Sequence, residues 1–299
     1  MRIGLHAFPL TPFVDGAPDE PHFSRLVERL AGSGVDAVTV LGSTGSYAYL
    51  TRRERSRLVR TAVEHAGDMP VGAGIGALRT TEVLAHLEDA QTAGVGEVLL
   101  APVSYQPLRD DEVAGLFEAV AAESDVPVVL YDNPTTTGFR FSDELYRDIA
   151  RSGAVSAIKI PPAGPDPQRA RARMASLREM LPADVPIGIS GDPSAAAALA
   201  ARCDGWYSVL AGTLPELCMP LMRAARSGDS EGCLAASETL NPLWNLYTEC
   251  GGSLRAIAGI AEHLGLVAPD CLPRPLRGLS AAQRSRVGET LDSLGVTAR

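Results

Sequence analysis

Eight short apolar segments, interleaved with amphipathic stretches, predict an α/β chain folded as a (β/α)₈ (TIM) barrel with a C-terminal helical appendage. Length agrees: 299 residues accommodate a barrel of about 250 and a short extension. Composition agrees too. Hydrophobic residues make up 45% of the chain but aromatics only 5%, so the core rests on Val, Leu, Ile and Ala, the filling of a closed parallel sheet.

The segments read as strands are residues 3–8, 37–42, 71–76, 97–102, 126–132, 155–160, 187–192 and 205–212. Several are apolar on both faces, as strands covered on both sides require. Between them, Thr51-Arg-Arg-Glu54 has the capping-box pattern ahead of a helix running to about residue 65. Residues 109–123 place Val113, Leu116, Phe117 and Val120 on one helical face. After Thr213 the strand pattern stops, and helices are expected at 215–227, 230–249, 253–264 and 280–294. The expected division is a barrel over 1–212 and helices over 213–299 that complete it and offer packing or oligomer surface.

A net charge of −9 and a pI near 5.1 leave no basic stripe for nucleic acid. Cys203, Cys218, Cys233, Cys250 and Cys271 form no C-x-x-C, and no histidine pair has ligand spacing, so free thiols and no metal are expected. The opening Met1-Arg-Ile-Gly-Leu5 reads at once as a strand, without a signal peptide, and no apolar run reaches membrane length. A cytoplasmic protein is the expectation.

In such barrels chemistry is built at the C-terminal ends of the strands, which here are 43–47, 102–107, 131–138, 159–162, 190–192 and 208–213. The 27 basic residues are 26 arginines and one lysine, Lys159, near the end of an apolar strand in Ala-Ile-Lys-Ile-Pro-Pro. Desolvation lowers a lysine pKa, and arginine cannot form an imine at neutral pH, so a nucleophilic role accounts for the exception. Tyr131 ends the preceding strand, where its phenol is placed to move protons at the same level. Gly42-Ser-Thr-Gly45 follows the second strand. Its backbone N–H groups suit a carboxylate, and the Thr44 hydroxyl is placed to relay a proton to the tyrosine.

Taken in order, Gly42-Ser-Thr-Gly45 with Leu50-Thr51-Arg-Arg-Glu54, Tyr131-Asp-Asn-Pro134-Thr-Thr-Thr-Gly138, Ile158-Lys159 and Ser190-Gly-Asp192 resemble the dihydrodipicolinate synthase/N-acetylneuraminate lyase family. The likeness extends from Thr11-Pro12-Phe13 to the helical tail. It implies pyruvate chemistry, with Lys159 as imine former, Tyr131 as proton shuttle, and Ser43 and Thr44 holding the carboxylate. It also implies a homotetramer, a dimer of dimers, without metal or organic cofactor. Together, the residues mark Lys159, Tyr131 and Thr44 as catalytic. Ser43, Gly45, Ser104, Tyr105, Thr136, Ser190, Gly191 and Ser208 are marked as substrate-binding.

The departures fall on the acceptor side. Ser46 stands where the family commonly has Glu, and Thr136 where dihydrodipicolinate synthases carry an arginine for the second substrate's carboxylate. Val103 and Ser104 align with paired tyrosines, with Tyr105 one position further on, and Pro161 and Pro162 follow the lysine. Retro-aldol or related lyase chemistry on a 2-keto acid, such as a deoxy sugar acid, is therefore expected rather than dihydrodipicolinate synthesis. Thr135, Thr136, Ser104 and Ser208 are candidate contacts to a polyol chain. Dehydration, deamination or hydratase-aldolase work by the same imine stays open, as do a keto-acid sensor without catalysis and a phosphate-binding barrel. Val71-Gly-Ala-Gly-Ile-Gly-Ala77 matches a loose dinucleotide pattern, but on a barrel strand its glycines are expected to make room for neighbours. Trp244 and Tyr247 are expected to pack.

Overall fold

The computed structural model describes residues 3–297, so Met1, Arg2, Ala298 and Arg299 lie outside it. Eight parallel strands close into a barrel: β1 (Gly4–Ala7), β4 (Ala37–Val40), β5 (Val71–Gly74), β6 (Glu97–Leu100), β7 (Val128–Tyr131), β8 (Ala157–Ile160), β9 (Ile187–Ser190) and β10 (Gly205–Ser208). Closure is through β1, which pairs with both β10 and β4. A small hairpin of β2 (Phe13–Val14) and β3 (Ala17–Pro18) follows the first strand. Each expected strand is present, and all but the one expected over 155–160, which ends at Ile160 as expected, end earlier, because the chain leaves the ladder to build the loops of the catalytic face. At Leu41 the cause is explicit: its φ of 57° is incompatible with a strand.

Side chains alternate across the sheet. Leu5, Val38, Val98, Leu130, Ile158 and Ile189 face outward into the layer shared with the helices, each buried to 2% exposure or less. Burying one such side chain contributes about 1.5–3 kcal/mol. Phe8, Leu99, Val129, Tyr131, Ala157 and Tyr207 belong to a separate cluster inside the barrel. Lys159 shares that inward phase, two residues after Ala157.

Local signals account for the helices. Thr51 caps the helix Arg52–His65, its side chain accepting from the Glu54 N–H while Glu54 Oε2 accepts from the Thr51 N–H at 2.8 Å. The single helix expected over 230–249 is two, Ser230–Glu238 and Asn241–Glu249. Pro242 is the reason: without an N–H it cannot continue the first helix, but it is tolerated in the first turn of the second. The helices Pro215–Ser227, Ser230–Glu238 and Asp192–Ala200 pack on one another, and Ser253–His263 packs against Ala281–Ser293.

Candidate active site

Lys159 lies inside the barrel near its C-terminal end and is 3% exposed. Its nitrogen sits 3.7 Å from the Phe8 ring centre, 3.9 Å from that of Tyr131 and 5.2 Å from that of Tyr207. No ion pair reaches it among the described residues. Burial holds its pKa well below the ordinary lysine value, with Asp192 and Glu97 acting in the opposite direction. Each aromatic face returns about 0.5–2 kcal/mol to an ammonium. Dehydrating that ion costs several kcal/mol. Desolvation outweighs these attractions and shifts the lysine toward the neutral amine, the form that attacks a carbonyl.

Strand register brings Tyr131 beside the lysine, since the two are Cα partners across β7 and β8. Burial pushes the Tyr131 hydroxyl up to about 12, with its polar neighbours Ser43 and Asn133 acting in the opposite direction. Asn133 Nδ2 donates to the Tyr131 hydroxyl at 2.8 Å and to Ser43 Oγ at 3.0 Å. Thr44 is buried in the same turn, but its hydroxyl makes no hydrogen bond to Tyr131 among the described residues. The phenol therefore meets Ser43 and Asn133 where the sequence suggested Thr44.

The Gly42–Gly45 turn is held by close backbone approach. A Cβ on Gly42 would lie 2.7 Å from the Phe8 ring, the same ring that covers Lys159. One on Gly74 would lie 2.0 Å from the Leu41 carbonyl oxygen, so only glycine lets β5 support the left-handed residue that starts the turn. The glycines of the 71–77 segment thus serve neighbouring chain. A short 3₁₀ turn, Tyr47–Tyr49, separates this loop from the helix Arg52–His65. Arg55 braces the assembly from behind, donating to the Gly74 and Gly76 carbonyls at 2.7 and 2.9 Å, and burial lowers its pKa to about 10. Ser46, at the position where glutamate was expected, is buried with its hydroxyl unpartnered.

Below the lysine the barrel interior is polar. His6 Nδ1 lies 3.2 Å from Thr39 Oγ1 and 3.3 Å from Glu97 Oε1, and its ring meets the edge of Tyr207 at 5.0 Å. Beside the site, the buried Asp192 carboxylate accepts from Trp206 Nε1 at 3.0 Å, the Leu210 and Val209 N–H groups at 2.9 and 3.3 Å, and the Tyr247 hydroxyl at 3.1 Å. Burial pushes its carboxyl up while these donors oppose the shift. Three of the four are N–H groups with no lone pair to take a carboxyl proton, so we read the group as ionised.

Other residues singled out in the sequence are placed differently. Ser208 requires correction: it has no exposed surface, its hydroxyl accepts from the Ala211 N–H at 3.0 Å, and it faces Cys218 at 3.7 Å. Alternation is the reason, because Tyr207 occupies the inward phase. Ser190 Oγ donates to the Ile160 carbonyl at 2.8 Å, so it secures the lysine strand. Gly191 precedes the helix Asp192–Ala200 with φ of 83°. Ser104 hydrogen-bonds to Gln106 of its own loop, Thr136 is exposed, and Tyr105 is 88% exposed. Trp244 and Tyr247 pack edge to face at 5.7 Å, as expected. Sequence reading missed Asn133, Phe8, His6 and Glu97. Only the Asn133 position carried a signal, being polar and next to the motif tyrosine.

All five cysteines are free and buried. Among the described residues no cluster of His, Cys, Asp or Glu is arranged to hold a metal, and no helix is long and apolar enough to cross a membrane.

Residues 2–294 match the sequence profile of the Dihydrodipicolinate synthetase family. A 4-hydroxy-tetrahydrodipicolinate synthase from Hyphomonas neptunium is 31% identical over 292 residues, covering 96% of both chains. The crystal structure of a dihydrodipicolinate synthase from Agrobacterium tumefaciens superposes with a TM-score of 0.92 at 45% identity, covering 97% of both chains. One from Aquifex aeolicus shares the fold, with a TM-score of 0.90 at 23% identity over 100% of both chains. Register, buried lysine and whole-length likeness agree: the chain belongs to the dihydrodipicolinate synthetase family, and it is a lyase of the lysine-dependent aldolase class.

Proposed function

We propose that the protein is an imine-forming aldolase that uses a pyruvate-type donor and, in the cleavage direction, takes a 2-keto-3-deoxy sugar acid. The observation that carries this reading is Lys159, the sole lysine, buried at the C-terminal end of a barrel strand with its pKa held well below the ordinary lysine value. The amine attacks the C2 carbonyl, and Tyr131 gives its proton to the departing hydroxyl as the carbinolamine becomes a protonated imine and water. The phenolate, now beside a positive charge, takes the proton of the C4 hydroxyl. The C3–C4 electron pair moves into the imine, which leaves an aldehyde and an enamine. Tyr131 returns the proton to C3, and hydrolysis frees the keto acid and the lysine. Ser43 and the N–H groups of the Thr44–Gly45 turn bind the carboxylate.

Thr136, in place of a cation, favours a neutral hydroxylated chain over a second carboxylate. A homotetramer and a cytoplasmic setting belong to the same proposal. Tyr105, Leu78 and Tyr49, exposed by 88%, 63% and 46%, are apolar side chains that a subunit contact would cover. Native mass would report it.

Borohydride trapping with pyruvate, read by peptide mapping, tests the nucleophile. An adduct at Lys159 that is absent in Lys159→Arg is the expected result. With a single lysine, the only competing amine is the N-terminus. No adduct with pyruvate or longer 2-keto acids would remove the reading.

A further inference from the structure

Asn133 joins two hydroxyls at the catalytic end of the barrel, those of Tyr131 and Ser43. Its Nδ2 lies 2.8 Å from the Tyr131 hydroxyl oxygen and 3.0 Å from Ser43 Oγ, which bridges the β7 loop to the Gly42–Gly45 turn. The residue is fixed from behind: its carbonyl accepts from the Thr136 and Thr137 N–H groups at 3.1 and 3.0 Å and from Thr137 Oγ1 at 3.0 Å.

An amide nitrogen has two hydrogens and no free lone pair, so toward both hydroxyls it acts only as a donor. A hydroxyl oxygen that accepts from it keeps its own proton for another direction. We infer that Asn133 is a positioning residue that sets the polarity of the site, leaving Tyr131 and Ser43 both as donors toward the substrate.

This rests on the imine chemistry proposed above and narrows its substrate class. The groups that meet these hydroxyls are acceptors: the keto-acid carboxylate at Ser43, and an oxygen at Tyr131. An aldehyde carbonyl or the alkoxide of a C4 hydroxyl fits. A protonated imine nitrogen, which has no lone pair, does not. The same amide also donates to the phenolate when Tyr131 has given up its proton, so it assists both halves of the proton transfer.

Wild type, Asn133→Leu and Asn133→Asp are compared with pyruvate as the probe. One readout is borohydride trapping at Lys159. The other is exchange of the pyruvate C3 protons with deuterated water by NMR, which requires imine, enamine and a proton shuttle. Trapping is expected to persist in all three proteins, with exchange in Asn133→Leu reduced about 10-fold or more. In Asn133→Asp the carboxylate only accepts, so both hydroxyl protons turn toward it. Exchange then falls below that of the leucine variant at pH 8 and recovers as pH falls, because a protonated carboxyl donates again. Tyr131, Tyr47, Asp132 and Lys159 are the titratable groups around this position and are common to all three proteins, so the contrast reports position 133.

Wild-type exchange in Asn133→Leu, or an aspartate variant as fast as wild type at pH 8, overturns the inference. The second outcome would mean that the amide oxygen faces the hydroxyls. Failure of wild-type protein to trap pyruvate at Lys159 removes the imine reading itself. Intact trapping with unchanged exchange in the variants removes only the role of Asn133.

Discussion

Lys159 and Tyr131 are register partners on neighbouring parallel strands, and the lysine nitrogen lies 3.9 Å from the centre of the tyrosine ring. The proposed nucleophile and proton donor are therefore set by backbone pairing rather than by loop conformation. Rigid elements hold reacting groups more closely than loops do.

The buried amine weakens the fold. Between the lowered folded pKa and the ordinary one, the unfolded chain keeps a lysine proton that the folded protein has released, so the unfolded state binds more protons there. Stability then rises with pH between the lowered folded pKa and the ordinary value near 10.5. Lys159→Met should unfold at a higher temperature than wild type at pH 7, by roughly 2 °C or more. The gap should close as pH approaches 10.5. Calorimetry across that range checks both parts, and a destabilised variant at pH 7 would contradict them.

Glu97 stabilises the lysine cation across the barrel interior and opposes the desolvation shift. Glu97→Gln removes that charge and should move the acid limb of imine formation to lower pH, with the plateau rate little changed. Trapping rates measured against pH decide the matter. An unmoved or upward-shifted limb would show that the His6–Glu97 pair does not reach the amine.

Gly74→Ala tests the support of the Gly42–Gly45 turn. Its Cβ would fall 2.0 Å from the Leu41 carbonyl oxygen, an atom of backbone that cannot swing aside. Loss of about 2 kcal/mol or more in stability is expected, together with weaker keto-acid binding. Denaturant titration and the KM for pyruvate measure the two effects.

Asp192→Asn keeps the shape of the side chain and replaces an acceptor oxygen with a donor facing N–H groups and the Tyr247 hydroxyl. A destabilisation of about 2–3 kcal/mol should follow. Because the lost charge also favours the lysine cation, the acid limb should again fall to lower pH. Normal stability with a normal limb would count against both roles.

Two kinds of signal made the fold and the proposed nucleophile readable. Strand and helix periods differ, so their alternation marked all eight strands, and the capping box at Thr51 located its helix. Lys159 stood out because no other lysine exists in the chain. Pro242 carries a local signal of its own, because it divides the helix expected over 230–249 in two.

What the chain by itself determined is therefore local: which segments are strands, which are helices, and which one residue carries a lysine amine. Tertiary structure decided which way each side chain points. A strand that is apolar on both faces does not reveal its inward phase, and only barrel closure turned Tyr207 into the barrel and Ser208 toward Cys218. The same closure set His6 against Glu97, residues far apart in sequence, and laid Phe8 over Lys159. It also brought Asn133 to Ser43 across the barrel mouth. Such contacts depend on register and closure around the whole sheet, and no window of sequence contains that information.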